Sequence, residues 1–357
     1  MRNYYTKAKY IVKKYERYIL PLSLAFGFVI DSLTLNKADS LIDNLVILTY
    51  LVILGGSIFF LHLPDFKNKI TPFLPAIVQF SFGNLFSALV VFYTRSGDFL
   101  VSLPFLIILL ILFVGRDWFH RKYTKLTFQI SIFYIALLSY FTLISPVLFR
   151  QINVWVFLLG GVFSLIAIFL YILIIKKGLK KSFYDYESQI KVYIISIFII
   201  FNLFYFTNTI PPIPLALKEG VVAHNLTRLE SGDYRLTYEK PEWFRFYKYY
   251  AKTIHVGNGD PVYVFGSIYA PTKLKGTIFH QWSYFDEKNS RWKDTDRIPI
   301  QISGGRYEGY RGYSFKSSLI EGKWRVDIET ESGQVVGRIK FNVNKTEKSN
   351  ELITNIF

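Results

Sequence analysis

The stretch "GKWRVDIETESGQVVGRIKFNV", Gly322 to Val343, decides how the second half of this chain folds. Apolar and polar residues alternate on both sides of residues 331–334, and this two-residue period is typical of strands with one buried face. Gly333 lies between the two alternating runs, and glycine readily adopts the positive φ that a tight turn requires. The stretch therefore predicts a β-hairpin.

The register of this hairpin follows if Ser332 and Gly333 form a two-residue loop. That loop puts apolar side chains opposite each other on one face and an acidic residue opposite a basic one on the other face, which is self-consistent. The predicted pairs are Trp324 with Phe341, Val326 with Ile339, and Asp327 with Arg338.

Several other segments after residue 220 alternate in the same way, with turn signals such as "VGNGDP" and "DEKNS" between them. Seven or so short strands in roughly 140 residues, without a convincing long helix, predict an all-β sandwich of immunoglobulin-like type. The segment "PEWFRFYKYYAK" fits either a strand or an aromatic, lysine-rich stretch resting on a membrane surface. The other predicted strands are "VVAHNLT", "DYRLTYE", "PVYVFGSIYA", "GTIFHQWSYF" and "RIPIQIS".

The first 210 residues show long apolar runs in place of alternation. Hydrophobic residues make up 51% of the chain and aromatic residues 18%, which is high for a soluble domain. A helix needs about 20 apolar residues to cross about 30 Å of hydrocarbon, and seven runs approach this length. They are Tyr18–Leu35, Leu41–His62, Ile70–Tyr93, Phe99–Gly115, Leu126–Phe149, Val154–Ile175 and Ile190–Thr209.

Basic residues in the connections between these runs predict their orientation in a membrane. Seventeen Lys and Arg residues lie in the N-terminal segment and in the second, fourth and sixth connections, whereas the alternate connections hold only Lys37, Arg95 and Arg150. Because connections rich in Lys and Arg stay in the cytoplasm, we expect the N-terminus there. Seven spans then place everything after Thr209 outside the cytoplasmic membrane.

The exit from the last apolar run, "TIPPIPLALKEG", marks the domain boundary. Its three prolines cannot continue a helix and favour an extended, fairly stiff spacer. The predicted organisation is a seven-helix transmembrane domain at 1–210, a Pro-rich linker at 211–219, an extracytoplasmic β-sandwich at 220–344 and a C-terminal tail at 345–357.

Composition excludes several classes of site. The chain has no cysteine, so disulfides, thiolate zinc sites and cysteine nucleophiles are impossible. The net charge of +16 is concentrated in the apolar half, which indicates membrane topology and argues against nucleic acid as a partner. None of the five histidines forms an H-x-x-x-H pair, so we expect no metal and no other cofactor. His280 shares a predicted strand face with Trp282 and is expected mainly in the core.

Several motifs resemble a known family. "PPIPL" at the linker, "YAPT" at 269–272, "HQW" at 280–282 and "GGRYEGYRGYS…GKWRVDIET…GQVVGRIKFNV" are similar to bacterial membrane proteins that end in the domain of unknown function 2914. The apolar half, with "GFVIDSLTL" and "SFGNLFSALVVFYTRSG", looks like the region that precedes this domain in the family. The resemblance implies a bacterial origin and this two-part architecture, but it implies no activity.

The segment "GGRYEGYRGYSFKS", residues 304–317, carries the candidate binding residues. Its glycine spacing matches neither a P-loop nor a dinucleotide-binding turn, and no helix follows. Arginines of such a loop can hold a carboxylate or phosphate, and tyrosines can stack on a sugar or contact a protein. The alternative is that the glycines form turns and bulges while the rings cover a sheet edge. The candidates are Arg306, Tyr307, Tyr310, Arg311 and Tyr313.

Polar residues inside apolar spans are a second set of candidates, because they are unfavourable in hydrocarbon unless solvated or paired. Asp31, Gln79 and Asn84 could line a polar cavity open to the outside. The alternative is that Asp31 reaches water at the helix end while Gln79 and Asn84 bond to neighbouring helices.

These observations favour a non-catalytic function for a protein of the bacterial cytoplasmic membrane. Its outer β-sandwich is expected to bind a glycan or protein of the cell envelope, and its helices contact the lipid bilayer. One alternative is an envelope enzyme or transporter with a polar cavity in its helices that acts on a lipid-linked or small substrate. Another is a structural subunit of a membrane complex.

Overall fold

The computed structural model describes residues 28–29, 31, 33–35, 39–64, 66, 71–94, 99–114, 125–210, 215–243, 250–270, 275–303, 310–346 and 350–357. The chain forms two compact units, of which the helical one ends at Thr209 and the other contains Ile210–Phe357. Apolar helices therefore precede a β-rich region, as the sequence predicts.

Six helices are present in the described ranges. Five of them are long and apolar enough to cross a membrane, whereas the third has 16 residues. Most of the predicted first span, Tyr18–Leu35, lies outside the described residues, so a seventh span stays a prediction. The helices are α1 (Leu41–His62), α2 (Leu74–Thr94), α3 (Phe99–Val114), α4 (Leu126–Phe149), α5 (Val154–Leu179) and α6 (Lys181–Phe206).

Helix α6 begins nine residues before the predicted span. Lys180, with a φ of 49°, alone separates it from α5. In the polar first turns of α6, Glu187 bonds Lys191 one turn ahead at 2.8 Å and Lys176 of α5 at 3.2 Å, and these pairs add modestly to the stability of the helix. Hydropathy predicted only the apolar part of this helix. The charged part was missed because its ion pairs, one of them to another helix, are not visible in a hydropathy pattern.

Small and polar residues hold the helices together. The Tyr171 hydroxyl of α5 donates to the Gly55 carbonyl of α1 at 2.8 Å, and the Tyr93 hydroxyl of α2 donates to the Ser139 carbonyl of α4 at 3.1 Å. A Cβ on Gly160 of α5 would lie 2.8 Å from the Phe141 carbonyl of α4. Close backbone approach and interhelical hydrogen bonds are the contacts that hold strongly apolar helices together.

Within its described residues, the second unit contains eleven strands in three sheets. The sheet orders are β1-β5-β8, β4-β10-β9-β6-β7 and β11-β3-β2. The strands are β1 (Ala216–Ala223), β2 (Asn225–Arg228), β3 (Tyr234–Glu239), β4 (Thr253–Val256), β5 (Pro261–Tyr269), β6 (Lys275–Asp286), β7 (Arg291–Ser303), β8 (Tyr310–Ser317), β9 (Gly322–Thr330), β10 (Val335–Lys345) and β11 (Leu352–Ile356).

The structure confirms the predicted hairpin and its strand pairs, but the two-residue loop was wrong: Thr330 N–H donates to the Gln334 carbonyl at 2.9 Å, so three residues form the loop. Strands β9 and β10 pair Trp324 with Phe341, Val326 with Ile339, and Asp327 with Arg338. Arg338 donates twice to the Asp327 carboxylate, at 2.5 and 2.7 Å. The pairing shifts by one residue between Val335 and Gly337, close to the turn. In that turn Gly333 has a φ of 80°.

The strand pattern differs from the prediction in several places. Strand β4 was not predicted, and the predicted strand "VVAHNLT" is divided between β1 and β2. Residues 216–219, assigned to the linker, belong to β1, and residues 352–356, assigned to the tail, form β11. Strand β11 pairs with β3 across more than a hundred residues of sequence, so its short segment "LITNI" shows no local sign of its partner. Residues 310–317, interpreted as part of a turn-rich loop, form strand β8.

Three glycines explain the last difference. Gly220, Gly266 and Gly312 pair in one row across β1, β5 and β8. A Cβ on these residues would lie only 2.7, 2.8 and 2.7 Å from isoleucines of β10, β9 and β7, namely Ile339, Ile328 and Ile300. Glycine thus allows the two sheets to approach each other, and Gly312 has a packing role within a strand.

Candidate anion-binding cleft in the β-rich unit

The predicted binding residues that belong to strand β8 lie on its two opposite faces. Tyr310 is buried, with 7% of its surface exposed, and burial raises the pKa of its phenol. Arg311 and Tyr313 point to the opposite face, because successive strand residues alternate. Arg306 and Tyr307 lie outside the described residues. The structure therefore brings together Arg311 and Tyr313 and separates Tyr310 from them.

Arg311 belongs to a polar row across three strands. It pairs with Ser267 of β5, and Ser267 pairs with Glu219 of β1. Neighbouring strands are about 4.8 Å apart, so a guanidinium, a hydroxyl and a carboxylate stand next to each other on one sheet face. No sequence motif links these residues, which come from three distant segments.

An ion pair orients the Arg311 side chain. Its Nη1 lies 2.6 Å from Asp233 Oδ1, and the Ser231 hydroxyl donates to Asp233 Oδ2 at 2.8 Å. Only 12% of the Arg311 side chain is exposed. A guanidinium has five N–H donors in a rigid fork, so Arg311 can keep Asp233 and engage a second anion as well.

This row lines a cleft of about 490 Å³. Lys218 adds a second cation, and the Asn355 side chain is held at the wall because it donates to the Tyr238 hydroxyl at 2.7 Å. A cleft of this size accepts a small ligand, and cations with hydroxyl and amide groups suit a carboxylate or phosphate. Its lining residues are Lys218, Glu219, Ser267, Arg311, Asn355, Ile356 and Phe357.

Aromatic side chains continue the same sheet face beside the cleft. Tyr313 is 39% exposed and Phe315 is 54% exposed. Their ring centroids lie 6.3 and 5.4 Å from that of Tyr263 on β5. Tyr313 follows Arg311 by two residues, about 7 Å along the strand. A cation and a partly exposed ring at this spacing can contact the acidic group and the ring of one ligand.

His280 lies on the other side of β8, in the core as predicted. It is 1% exposed, and its Nδ1 is 2.8 Å from Ser314 Oγ, which also accepts from Trp282 Nε1 at 3.0 Å. Burial lowers the pKa of His280 to about 3. The histidine is therefore neutral at physiological pH and belongs to the packing of β6 on β8.

Two further histidines, which no spacing motif identified, share one buried carboxylate. His224 Nε2 lies 3.1 Å from Glu239 Oε1, and His255 Nδ1 lies 2.8 Å from Oε2. Burial opposes ionisation of Glu239, but the hydrogen bonds from both histidines outweigh it and lower the pKa of the carboxyl to about 2. In the part of the chain that the structure describes, no group of three His, Asp or Glu could hold a metal ion.

We predict that His280 and Glu329 change the pH dependence of stability in opposite directions. The unfolded state binds a proton at His280 below about 6.5, whereas the folded state does so only near 3, so acid destabilises the fold through His280 by about 1.4 kcal/mol per pH unit. Burial and Asp327 raise the pKa of Glu329 to about 7, so the folded state holds that proton and acid stabilises it from pH 7 to about 4.5.

Guanidinium unfolding followed by tryptophan fluorescence between pH 6.5 and 4.5 tests this balance. Glu239 loses its contribution only below about 4.5, outside this window. In Glu329→Gln the free energy of unfolding should fall more steeply with acid than in the wild type, and in His280→Gln it should fall less steeply or rise. Identical slopes in all three proteins would contradict the prediction.

The structure describes all three polar candidates of the apolar runs, Asp31, Gln79 and Asn84. Asn84 Nδ2 donates to the Phe80 carbonyl of its own helix at 2.8 Å. Gln79 and Asp31 are both half-buried. The Asn84 amide thus bonds within its own helix, whereas the alternative expected a bond to a neighbouring helix.

Residues 275–343 match the family described as "Protein of unknown function (DUF2914)". The DUF2914 resemblance is confirmed over these residues. The match contains Arg311 and Tyr313, whereas Lys218, Glu219 and Ser267 precede it. The cleft is therefore completed by strands outside the DUF2914 match.

No curated protein matches the chain. Among solved structures, an immunoglobulin-like protein from Pseudomonas aeruginosa is 6% identical over 36% of this chain and 96% of its own, with a TM-score of 0.21. A β-glucosidase from Listeria innocua is 14% identical over 26% of this chain and 14% of its own, with a TM-score of 0.19. The alkylpurine DNA glycosylase AlkC from Pseudomonas fluorescens is 12% identical over 87% and 99%, with a TM-score of 0.23. Similarities this low do not establish a shared fold and carry no argument about function.

Proposed function

We propose that this protein is a multi-pass protein of the bacterial cytoplasmic membrane whose outer β-rich unit, an immunoglobulin-like sandwich, binds an anionic envelope glycan without transforming it. The observation that carries the proposal is the Arg311 cleft, in which an oriented guanidinium, Lys218 and Ser267 line one space, with the Glu219 carboxylate on its edge strand. The carboxylate or phosphate of the glycan lies against Arg311.

The aromatic residues beside the cleft favour a saccharide as the ligand. Tyr313 and Phe315 present partly exposed rings on the sheet face of Arg311. A sugar ring has an apolar face that stacks on such rings, while its acidic substituent reaches the cation.

Five apolar helices and the asymmetric distribution of Lys and Arg support the membrane part of the proposal. The packing of the Gly220–Gly266–Gly312 row on the isoleucines of the five-stranded sheet supports a sandwich.

Calorimetric titration of the full chain in lipid nanodiscs tests the ligand. The probes are N-acetylmuramic acid, glucuronic acid and glycerol phosphate, and the matched neutral probe for the first is N-acetylglucosamine, which lacks the lactyl carboxylate. We expect saturable binding of an anionic saccharide and at least about tenfold weaker binding of the neutral one, because a hydrogen-bonded charge contributes about 1.5–3 kcal/mol. Equal affinity for N-acetylmuramic acid and N-acetylglucosamine, or no binding of any probe, would contradict the proposal.

Cysteine labelling tests the orientation without interference from other thiols of this protein, because the chain contains no cysteine. Lys180 lies in the α5–α6 turn and Asn289 in the exposed β6–β7 turn. A membrane-impermeant maleimide should label Asn289→Cys in intact spheroplasts and Lys180→Cys only after permeabilisation. The reverse pattern would place the β-rich unit in the cytoplasm.

A further inference from the structure

A groove of about 400 Å³ runs between two helices of the apolar unit. The first two turns of α4 form one wall, and the stretch Gln189–Ile200 of α6 forms the other. Five of its nine lining residues are Thr, Ser, Gln or Lys, which is unusual for the surface of an apolar helix pair. The groove is distinct from the cleft of the β-rich unit.

The residues of α6 in this groove form one stripe along the helix. Gln189, Tyr193, Ser196 and Ile200 are spaced by four, three and four residues, which keeps them on one helix face. From Gln189 to Ile200 the helix rises about 16 Å, at about 1.5 Å per residue. One leaflet of a bilayer has about 15 Å of hydrocarbon, so the α6 wall of the groove is about as long as one leaflet is thick.

The two ends of the groove differ in chemistry. Lys125 and Gln189 lie at one end, and Ile197 and Ile200 lie at the other. Lys125 directly precedes α4, whose first backbone N–H groups have no partner within the helix and carry the positive end of its dipole. A lysine beside the N-terminus of a 24-residue helix suits a phosphate, and the isoleucines suit an alkyl chain.

We propose that this groove binds one anionic phospholipid of the cytoplasmic leaflet. The phosphate lies at Lys125 and the N-terminus of α4, and one acyl chain follows α6 from Tyr193 to Ile200. The leaflet assignment rests on the proposed membrane orientation, because Arg121, Lys122 and Lys125 belong to a connection expected in the cytoplasm. The proposal that a phospholipid binds rests on the groove and does not depend on that orientation.

Native mass spectrometry of the full chain in detergent tests the binding. The probes are phosphatidylglycerol, phosphatidylcholine with the same acyl chains, and glycerol phosphate without acyl chains. We expect phosphatidylglycerol adducts at about tenfold lower lipid concentration than phosphatidylcholine adducts. Lys125→Gln should remove this preference, whereas Lys177→Gln, an exposed lysine outside the groove lining, should keep it.

A second variant separates the groove from general surface charge. Ser196 is exposed on α6, so Ser196→Phe can fill the groove without entering the core, and it should abolish the retained phosphatidylglycerol adduct. Retention of lipid by Ser196→Phe, or an equal effect of Lys177→Gln and Lys125→Gln, would overturn the site. Binding of glycerol phosphate as tight as that of phosphatidylglycerol would overturn the lipid assignment. If phosphatidylglycerol binds but the cysteine labelling pattern is reversed, only the assignment to the cytoplasmic leaflet would be wrong.

Discussion

An Arg311→Ala variant is expected to bind the anionic saccharide about 10- to 100-fold more weakly than the wild-type protein. Arg311 is the oriented cation of the cleft, held by Asp233 at 2.6 Å and only 12% exposed. Its removal leaves the acidic group of the ligand without its strongest partner in a partly desolvated site. Calorimetry with N-acetylmuramic acid and glucuronic acid measures the loss.

Two more substitutions show whether the fork of Arg311 or only its charge matters. Arg311→Lys keeps the charge but cannot hold two acceptors in a plane, so most of the affinity should still be lost. Asp233→Asn keeps Arg311 but weakens its orientation, so an intermediate loss is expected.

The matched control is Lys316→Ala. Lys316 is on the same strand but contacts Asp296 and the Trp324 ring of the five-stranded sheet, away from the cleft. The Lys316→Ala variant should bind the saccharide with the affinity of the wild-type protein. Circular dichroism checks that it is folded. An unchanged affinity in Arg311→Ala, or an equal loss in Lys316→Ala, would contradict the role of Arg311.

A Gly337→Ala substitution is expected to destabilise the β-rich unit by about 3 kcal/mol, at the upper end of the range for overpacked cores. A Cβ on Gly337 of β10 would overlap Leu217 Cβ of β1 and lie 2.5 Å from Leu217 Cδ2. Because a Cβ is fixed to its backbone, relief requires one sheet to move against the other. The loss is measured as the decrease in the free energy of guanidinium unfolding.

Gly266→Ala is the comparison. Its Cβ would come too close only to the Cδ1 atom of Ile328, at 2.8 Å, and the end of a side chain can rotate away; Leu217 Cδ1 and His280 Nε2 would lie at ordinary contact distances of 3.6 and 3.7 Å. We therefore expect a smaller loss than for Gly337→Ala. In a Leu217→Gly background, Gly337→Ala should have little further effect, because the overlapping atoms are gone. Equal losses at Gly337 and Gly266, or additive effects of Gly337→Ala and Leu217→Gly, would contradict this explanation.

Local patterns predicted the elements whose determinants lie within a few residues. The bounds Leu41–His62 and Leu126–Phe149 appear unchanged as α1 and α4, because hydropathy and helix length are local quantities. The β9–β10 register was predictable because a short turn joins the strands and both alternate. The burial of His280 followed in the same way from its position on the strand face of Trp282.

The candidate site was only partly predictable. Arg311 and Tyr313 were identified by residue type, but Tyr310 faces the core because the segment is a strand and not a turn. The glycine at position 312 suggested a turn, whereas its actual requirement is the approach of Ile300 from another sheet.

The sequence by itself determined the division into an apolar helical half and an alternating β-rich half, the central hairpin and the DUF2914 resemblance. Only the tertiary structure decided that Arg311 meets Asp233, 78 residues earlier, and that Ser267 and Glu219 complete its row. It alone placed His224 and His255 on Glu239. The physical reason is that periodicity and hydropathy act between near neighbours in the chain, whereas these pairs arise from strand order and sheet packing, which have no local signature.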